Sequence, residues 1–198
     1  MRRKWVKIIA ILILILSGSY FVYNKLTKPN LGPKTTRLYK RGFRLLEEQI
    51  GTYIKDHYTG IEKIEFSPIY VTEEGSTFSN AYVRPTIYDK YGNKATLGDK
   101  IKKFIPLSYG LISDIVLDFD GGGNEVIELL DSNGKLVEVS NEEHLPKKAI
   151  LTEARSTDEN ISLLVDNGHL RGIMKDKKGS PNAEIVYNTE LHKGDARE

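Results

Sequence analysis

One stretch has residue types and spacing that look like chemistry: Asp118-Phe119-Asp120-Gly121-Gly122-Gly123-Asn124-Glu125. Alternate carboxylates running into glycines can wrap oxygen ligands around Ca²⁺, with Asp118, Asp120 and Asn124 as the candidate donors. The EF-hand register fails. Counting Asp118 as position one puts Gly122 at five and Leu129 at twelve, where an acidic ligand is required. Three glycines in a row also make an ordinary hairpin tip. The loop therefore reads first as a solvated turn and second as a calcium site.

The remaining candidate groups are dispersed. His57, His144, His169 and His192 lie far apart and share no ligand spacing. No serine stands in a Gly-x-Ser-x-Gly elbow, and the glycine run lacks the Lys-Ser/Thr partner of a phosphate loop. The chain has no cysteine, which removes disulfides, thiolate metal sites and a Cys nucleophile. The pairs Glu47/Glu48, Glu73/Glu74 and Glu142/Glu143 read as charge runs on exposed faces. No catalytic residue is assigned. Tyrosine is more suggestive, because it joins a large contact area to a polar tip. Tyr70, Tyr82, Tyr88 and Tyr91, with Tyr109 nearby, fall in or beside the first β region. The first four are candidates for partner binding, against the plainer role of edging a small core.

The element that places all of these is the N-terminal segment. Between Lys7 and Asn24 there is no charge, and Ile8 to Leu16 is almost pure Ile, Leu and Ala. Trp5 to Tyr23 meets the roughly 20 apolar residues that cross about 30 Å of hydrocarbon. Trp5 at one end and Tyr20 and Tyr23 at the other sit where amphipathic rings favour the headgroup layer. Arg2, Arg3, Lys4 and Lys7 precede the run, so this end is expected to stay cytoplasmic and the rest to lie outside. Two other readings stand beside the retained anchor: a signal peptide cleaved after Ser19, which would release a secreted protein, and a buried helix. Leu16-Ser17-Gly18-Ser19 matches a lipoprotein box except that Ser19 stands where the lipidated Cys would be.

The formal charge of the 198 residues is +2, but the residues after Lys28 carry 23 bases and 27 acids, a net −4. That balance argues against nucleic acid and against an anionic lipid surface as partner of the folded part. The organisation is an anchor or signal peptide over residues 1–24, a Pro- and Gly-containing linker over 25–35, a single domain over 36–192 and a tail over 193–198. The linker is short, so the domain sits close to the membrane.

Within that domain the spacing predicts a helix from Thr36 to Tyr58, capped by Thr35 or Thr36 and ended by Gly60. Gly42 and Gly51 in it mark places where a sheet packs close. The period then changes to two over Ile61–Val71, with Pro68 pointing to an edge or a bulge, and continues over Phe78–Asp89 and Lys94–Ile101. Leu111–Phe119 is expected as a strand, and 125–139 as a hairpin around Asn133-Gly134. Ser156 with Glu159 predicts a capping box on a short helix closed by Gly168. His169–Lys175 and Ala183–Leu191 read as a final hairpin. Helices beside antiparallel hairpins, without βαβ alternation, give an α+β fold.

Four segments resemble the small membrane-anchored or lipoprotein-like cell-surface proteins of streptococci and related Firmicutes: Leu45-Leu46-Glu47-Glu48-Gln49, Gly60 to Phe66, Tyr88-Asp89-Lys90-Tyr91-Gly92-Asn93, and Gly179 to Asp195. The resemblance implies location and no active site. The expected function is a non-catalytic module, held in the bilayer by residues 5–23 (Trp5, Ile8, Leu16, Tyr20 and Tyr23 among them), that binds an extracytoplasmic protein or peptide. An immunity protein against a secreted toxin is one concrete form. The alternatives are a calcium-dependent wall-ligand binder or enzyme using the Asp118–Asn124 loop, and a structural accessory subunit of a membrane complex.

Overall fold

The computed structural model of the chain describes residues 27–74, 77–100 and 107–194. The anchor residues Trp5, Ile8, Leu16, Tyr20 and Tyr23 lie outside them. Among the described residues no helix is long and apolar enough to cross a membrane.

The domain is α+β, and helix α1 (Pro33–His57) is its axis. Pro33 fills the first helical position, where a missing N–H costs nothing, and Gly32 is the N-cap. The helix thus starts before Thr35 and Thr36, and no side chain caps it. All seven residues from Leu45 to Gly51 are buried. That run spans about two turns, so the helix is enclosed on every side there rather than along one stripe. Glu47 and Glu48, expected on a solvated face, are consequently inside. The two glycines do allow close approach. A methyl at Gly42 would overlap Leu117, and one at Gly51 would press on Ile185 and Phe66.

Strands follow: β1 (Tyr58–Thr59), β2 (Ile61–Phe66), β3 (Ile69–Glu74), β4 (Thr77–Val83), β5 (Pro85–Asp89) and β6 (Lys94–Thr96). β2 pairs with β5 and β3 with β4, both antiparallel, forming one long ribbon that runs through two sheets. It bends at Ser67-Pro68 opposite Arg84. There Ser67 N donates to Arg84 O at 3.0 Å, and Arg84 N donates to Ser67 Oγ at 3.0 Å. Pro68 thus marks the corner between strands, not an edge. The Arg84 side chain is buried behind the corner, donating from Nε and Nη2 to Leu97 O at 3.1 and 2.9 Å.

β7 (Tyr109–Gly110), β8 (Ile115–Phe119), β9 (Glu125–Leu130) and β10 (Leu136–Glu138) come next, and β8, β9 and β10 make a three-stranded antiparallel sheet against α1. Leu111 to Asp114, expected in strand, form the turn that enters β8. Helix α2 (Arg155–Asp166) has Ala154 at its N-cap and no side-chain cap; Glu159 pairs with Arg155 instead of closing a capping box. Gly168 does end it, at φ +75°.

The last three strands are β11 (Met174–Lys175), β12 (Glu184–Val186) and β13 (Leu191–Lys193). They form no C-terminal hairpin. β11 pairs with β1, while β12 and β13 lie parallel to β2 and β3. Parallel neighbours need a long crossover, and the chain between β5 and β12, α2 included, supplies it. Ile185 is drawn to the edge of β2 because it packs against Gly51 of α1.

Three hairpin tips share one construction. Asp89, Asp120 and Asp131 each donate N–H to the carbonyl four residues on, at 3.0, 3.0 and 2.8 Å. Each carboxylate Oδ1 accepts from the N–H groups two and four residues on. The fourth residue, Gly92, Gly123 or Gly134, takes positive φ. This is a type I turn followed by a left-handed glycine, a three-residue loop. Asn133-Gly134 is therefore not a two-residue turn, since Asn133 keeps negative φ.

Candidate functional site

A mixed apolar and polar hollow lies where α1, the β9–β10 tip and the irregular segment leading into α2 meet. It encloses about 300 Å³. Leu46 and Ile50 of α1, with Leu130 and Leu151, give it hydrocarbon; Tyr109 and Asp114 line one wall, and Asp131, Glu153 and Arg155 stand on the others. Its frame is hydrogen-bonded. Gln49 Nε2, buried, donates to Leu130 O at 3.1 Å and Ala149 O at 2.7 Å, fixing the hairpin and the 149–151 segment to the helix. Ser132 Oγ accepts from the N–H groups of Thr152 and Glu153 at 2.8 and 3.0 Å and donates to Glu153 O at 3.0 Å.

Asp114 sits at the entrance to β8. Its Oδ2 accepts from Gly110 N at 2.9 Å and Ser113 Oγ at 2.6 Å. Burial pushes its carboxyl above the usual carboxylate range, against the lowering effect of those two bonds. The same turn carries Ile112, the one non-glycine residue with positive φ (75°) among the described residues, 89 % exposed. A β-branched residue in the left-handed region is strained by about 1–3 kcal/mol. The surrounding bonds hold it there: Ile112 N to Ile115 O at 3.0 Å, and Asp114 N to Gly110 O at 3.0 Å. Three exposed apolar residues stand within two positions in the chain of residues that line this hollow: Ile112, Leu136 (49 %) and Ile150 (39 %).

Behind the hollow a polar chain runs to the surface. Tyr109 OH bonds Thr157 Oγ1 at 2.8 Å. One residue on, Asp158 Oδ1 accepts from Tyr58 OH at 2.6 Å and Tyr53 OH at 2.8 Å, and Oδ2 from Lys175 Nζ at 2.5 Å. Burial first, then the Asp158 carboxylate, pushes the Tyr53 and Tyr58 phenols up; burial does the same for Tyr109. The bond to Asp158 holds Lys175 above its ordinary value. These phenols stay protonated as donors, and the network ties α1, β1, α2 and β11 together. Sequence reasoning missed it because its members are separated by about a hundred residues.

Other charged groups in the interior are also engaged. Glu48 accepts from Leu145 N at 2.6 Å and lies 2.8 Å from Arg44 and 3.1 Å from His144. Glu47, fully buried, accepts from Asn188 N at 3.0 Å through Oε2, while its Oε1 has no hydrogen-bond partner. Burial pushes the Glu47 carboxyl up to about 8, against the opposing bond from Asn188 and the charge of Arg44.

The loop that looked most chemical is closed on itself. Asp120 Oδ2 accepts from Asn124 Nδ2 at 2.9 Å, beside the two backbone bonds on Oδ1, and Asp118 Oδ1 accepts from Phe119 N at 2.7 Å. The Asn124 and Gly122 donors hold the Asp120 carboxyl below its ordinary range. Among the described residues no group of three His, Asp or Glu side chains converges as a metal site. The four tyrosines are not gathered into one surface. Tyr70 and Tyr82 are cross-strand neighbours with rings 5.7 Å apart. Tyr88 lies in the other sheet, under Lys63 at 4.0 Å and bonded to Glu65. Tyr91 is the exposed tip of the β5–β6 turn.

No protein-family model, curated protein or solved structure matches this chain.

Proposed function

We propose that the protein is a non-catalytic binding module, anchored by residues 5–23 at the outer face of a cell membrane, that receives an extracytoplasmic protein or peptide. The observation that carries this reading is the coincidence, in one turn, of a strained and exposed Ile112 with the Asp114 wall of an apolar hollow. An isoleucine side chain held outward at a conformational cost adds nothing to the core, and such outliers collect where a surface meets a ligand. The commitment of the Tyr53, Tyr58 and Lys175 groups to a structural carboxylate favours binding over proton-transfer chemistry. An immunity protein, recognising a secreted toxin, is one form this module would take.

The absence of cysteine makes the test clean. Single-cysteine variants I112C and G121C are treated with a membrane-impermeant maleimide on intact cells. G121C is expected to label fully, which reports a C-terminal domain outside. I112C is expected to label more slowly on cells than in the purified protein, because a partner covers it. Labelling of G121C only after lysis contradicts the topology, and equal exposure of I112C on cells and in isolation contradicts the partner.

A further inference from the structure

The hollow lined by Asp114 is charged unevenly. Asp114, Asp131 and Glu153 line it as carboxylates, with Arg155 as the one cation among its lining residues. Arg155 is already engaged, donating from Nε to Glu159 Oε1 at 2.8 Å. Asp114 uses only Oδ2 within its own turn; Oδ1 takes no hydrogen bond among the described residues. Another hollow of similar size, against α1, sets Lys40, Arg41 and Arg44 beside Glu142 and Glu143 and has no such bias.

Resting on the binding-module reading above, we infer that this hollow takes a lysine or arginine side chain, flanked by apolar residues, from an extracytoplasmic peptide or protein loop. The chemistry matches at both ends of such a side chain. Its methylene stem lies along hydrocarbon while the charged head stays near polar groups, and here the half-buried Leu130 and Leu151 offer the first and Asp114 the second. An anionic ligand would meet three carboxylates. A small neutral ligand would leave Ile112 and Leu136 exposed, whereas the neighbours of a basic residue in a peptide would cover them.

The test uses the full chain in lipid nanodiscs and three labelled peptides, identical except for a central Lys, norleucine or Glu between apolar residues. The Lys peptide is expected to bind, the norleucine peptide about tenfold more weakly or worse, and the Glu peptide not at all, the loss of one charge-assisted hydrogen bond being worth that factor. D114N should lose about the same factor for the Lys peptide, and D120N nothing. The wild-type comparison of Lys with norleucine needs no variant, so it stands even where D114N misfolds. Equal affinity for Lys and norleucine overturns the inference, as does an unaltered affinity in a D114N protein that melts normally. Concentration-dependent self-association abolished by I112G would make a second copy the occupant and overturn it too. If no peptide binds while I112C stays protected on cells, the cationic ligand falls and the binding module survives. If protection is absent as well, both fall.

Discussion

The two ends of β8 carry two acidic turns with opposite fates. At its far end Asp120 closes a hairpin tip, both oxygens filled by the loop's own donors and its carboxyl held low. At its near end Asp114 braces a strained turn and lines the hollow, one oxygen without a hydrogen bond among the described residues, its carboxyl pushed up by burial. Only the first looks like a site in the sequence. A carboxylate surrounded by glycines has backbone donors within reach and is readily satisfied locally. A carboxylate at a hollow walled by three other segments is left with unused capacity.

Glycine substitution should separate the two ends most widely. A methyl at Gly110 would overlap the Ala81 carbonyl oxygen across the β4–β7 pair, whereas one at Gly121 meets nothing within 4 Å. G110A is expected to cost about 3 kcal/mol or more in chemical denaturation, and G121A less than about 0.5 kcal/mol. Similar values for the two would mean that the near end is as loosely held as the far one.

Acid–base behaviour comes next. The Glu47 carboxyl, like that of Asp114, is raised in the folded state, so the fold binds the proton more tightly than the unfolded chain does. The stability this gives is present at low pH and is lost as pH rises from the ordinary carboxylate range through about 8 for Glu47. E47Q should flatten that decline, a difference on the order of a few kcal/mol at pH above 8. Asp120 runs the other way: its lowered value gives stability above the ordinary carboxylate range that is lost on acidification, and D120N should show a small drop in Tm confined to neutral and alkaline pH. A wild-type curve that rises steadily with pH through neutrality would break this contrast.

The strained residue gives a smaller effect with an informative sign. I112G relieves the left-handed isoleucine, and after glycine's entropy in the unfolded chain it should stabilise by about 1 kcal/mol. Stability gained with partner protection lost would mark Ile112 as held for binding. The smallest effect belongs to the far end, where added Ca²⁺ or a chelator should leave the thermal midpoint unchanged. A calcium-dependent rise abolished by D120N would restore the metal reading of Asp118, Asp120 and Asn124.

Much of this architecture was legible in the sequence. The 3.6-residue period found α1, and the switch to a period of two found the ribbon. What was hidden has physical reasons. Periodicity assumes one buried face, so it sent Glu47 and Glu48 outside a helix that is enclosed all round. Strands of three residues, such as β12 and β13, are too short to carry a period, and their parallel pairing is decided by which edge has room beside Gly51. The hollow joins residues 46–50, 109–114, 130–134 and 151–156, and nothing local announces it.

The most direct measurement places a photo-crosslinking residue at Ile112 in one variant and at Gly121 in another, and irradiates intact cells. The account predicts one discrete adduct from position 112, suppressed by D114N, and none from position 121. Adducts of equal yield from both positions, or from neither, would contradict it.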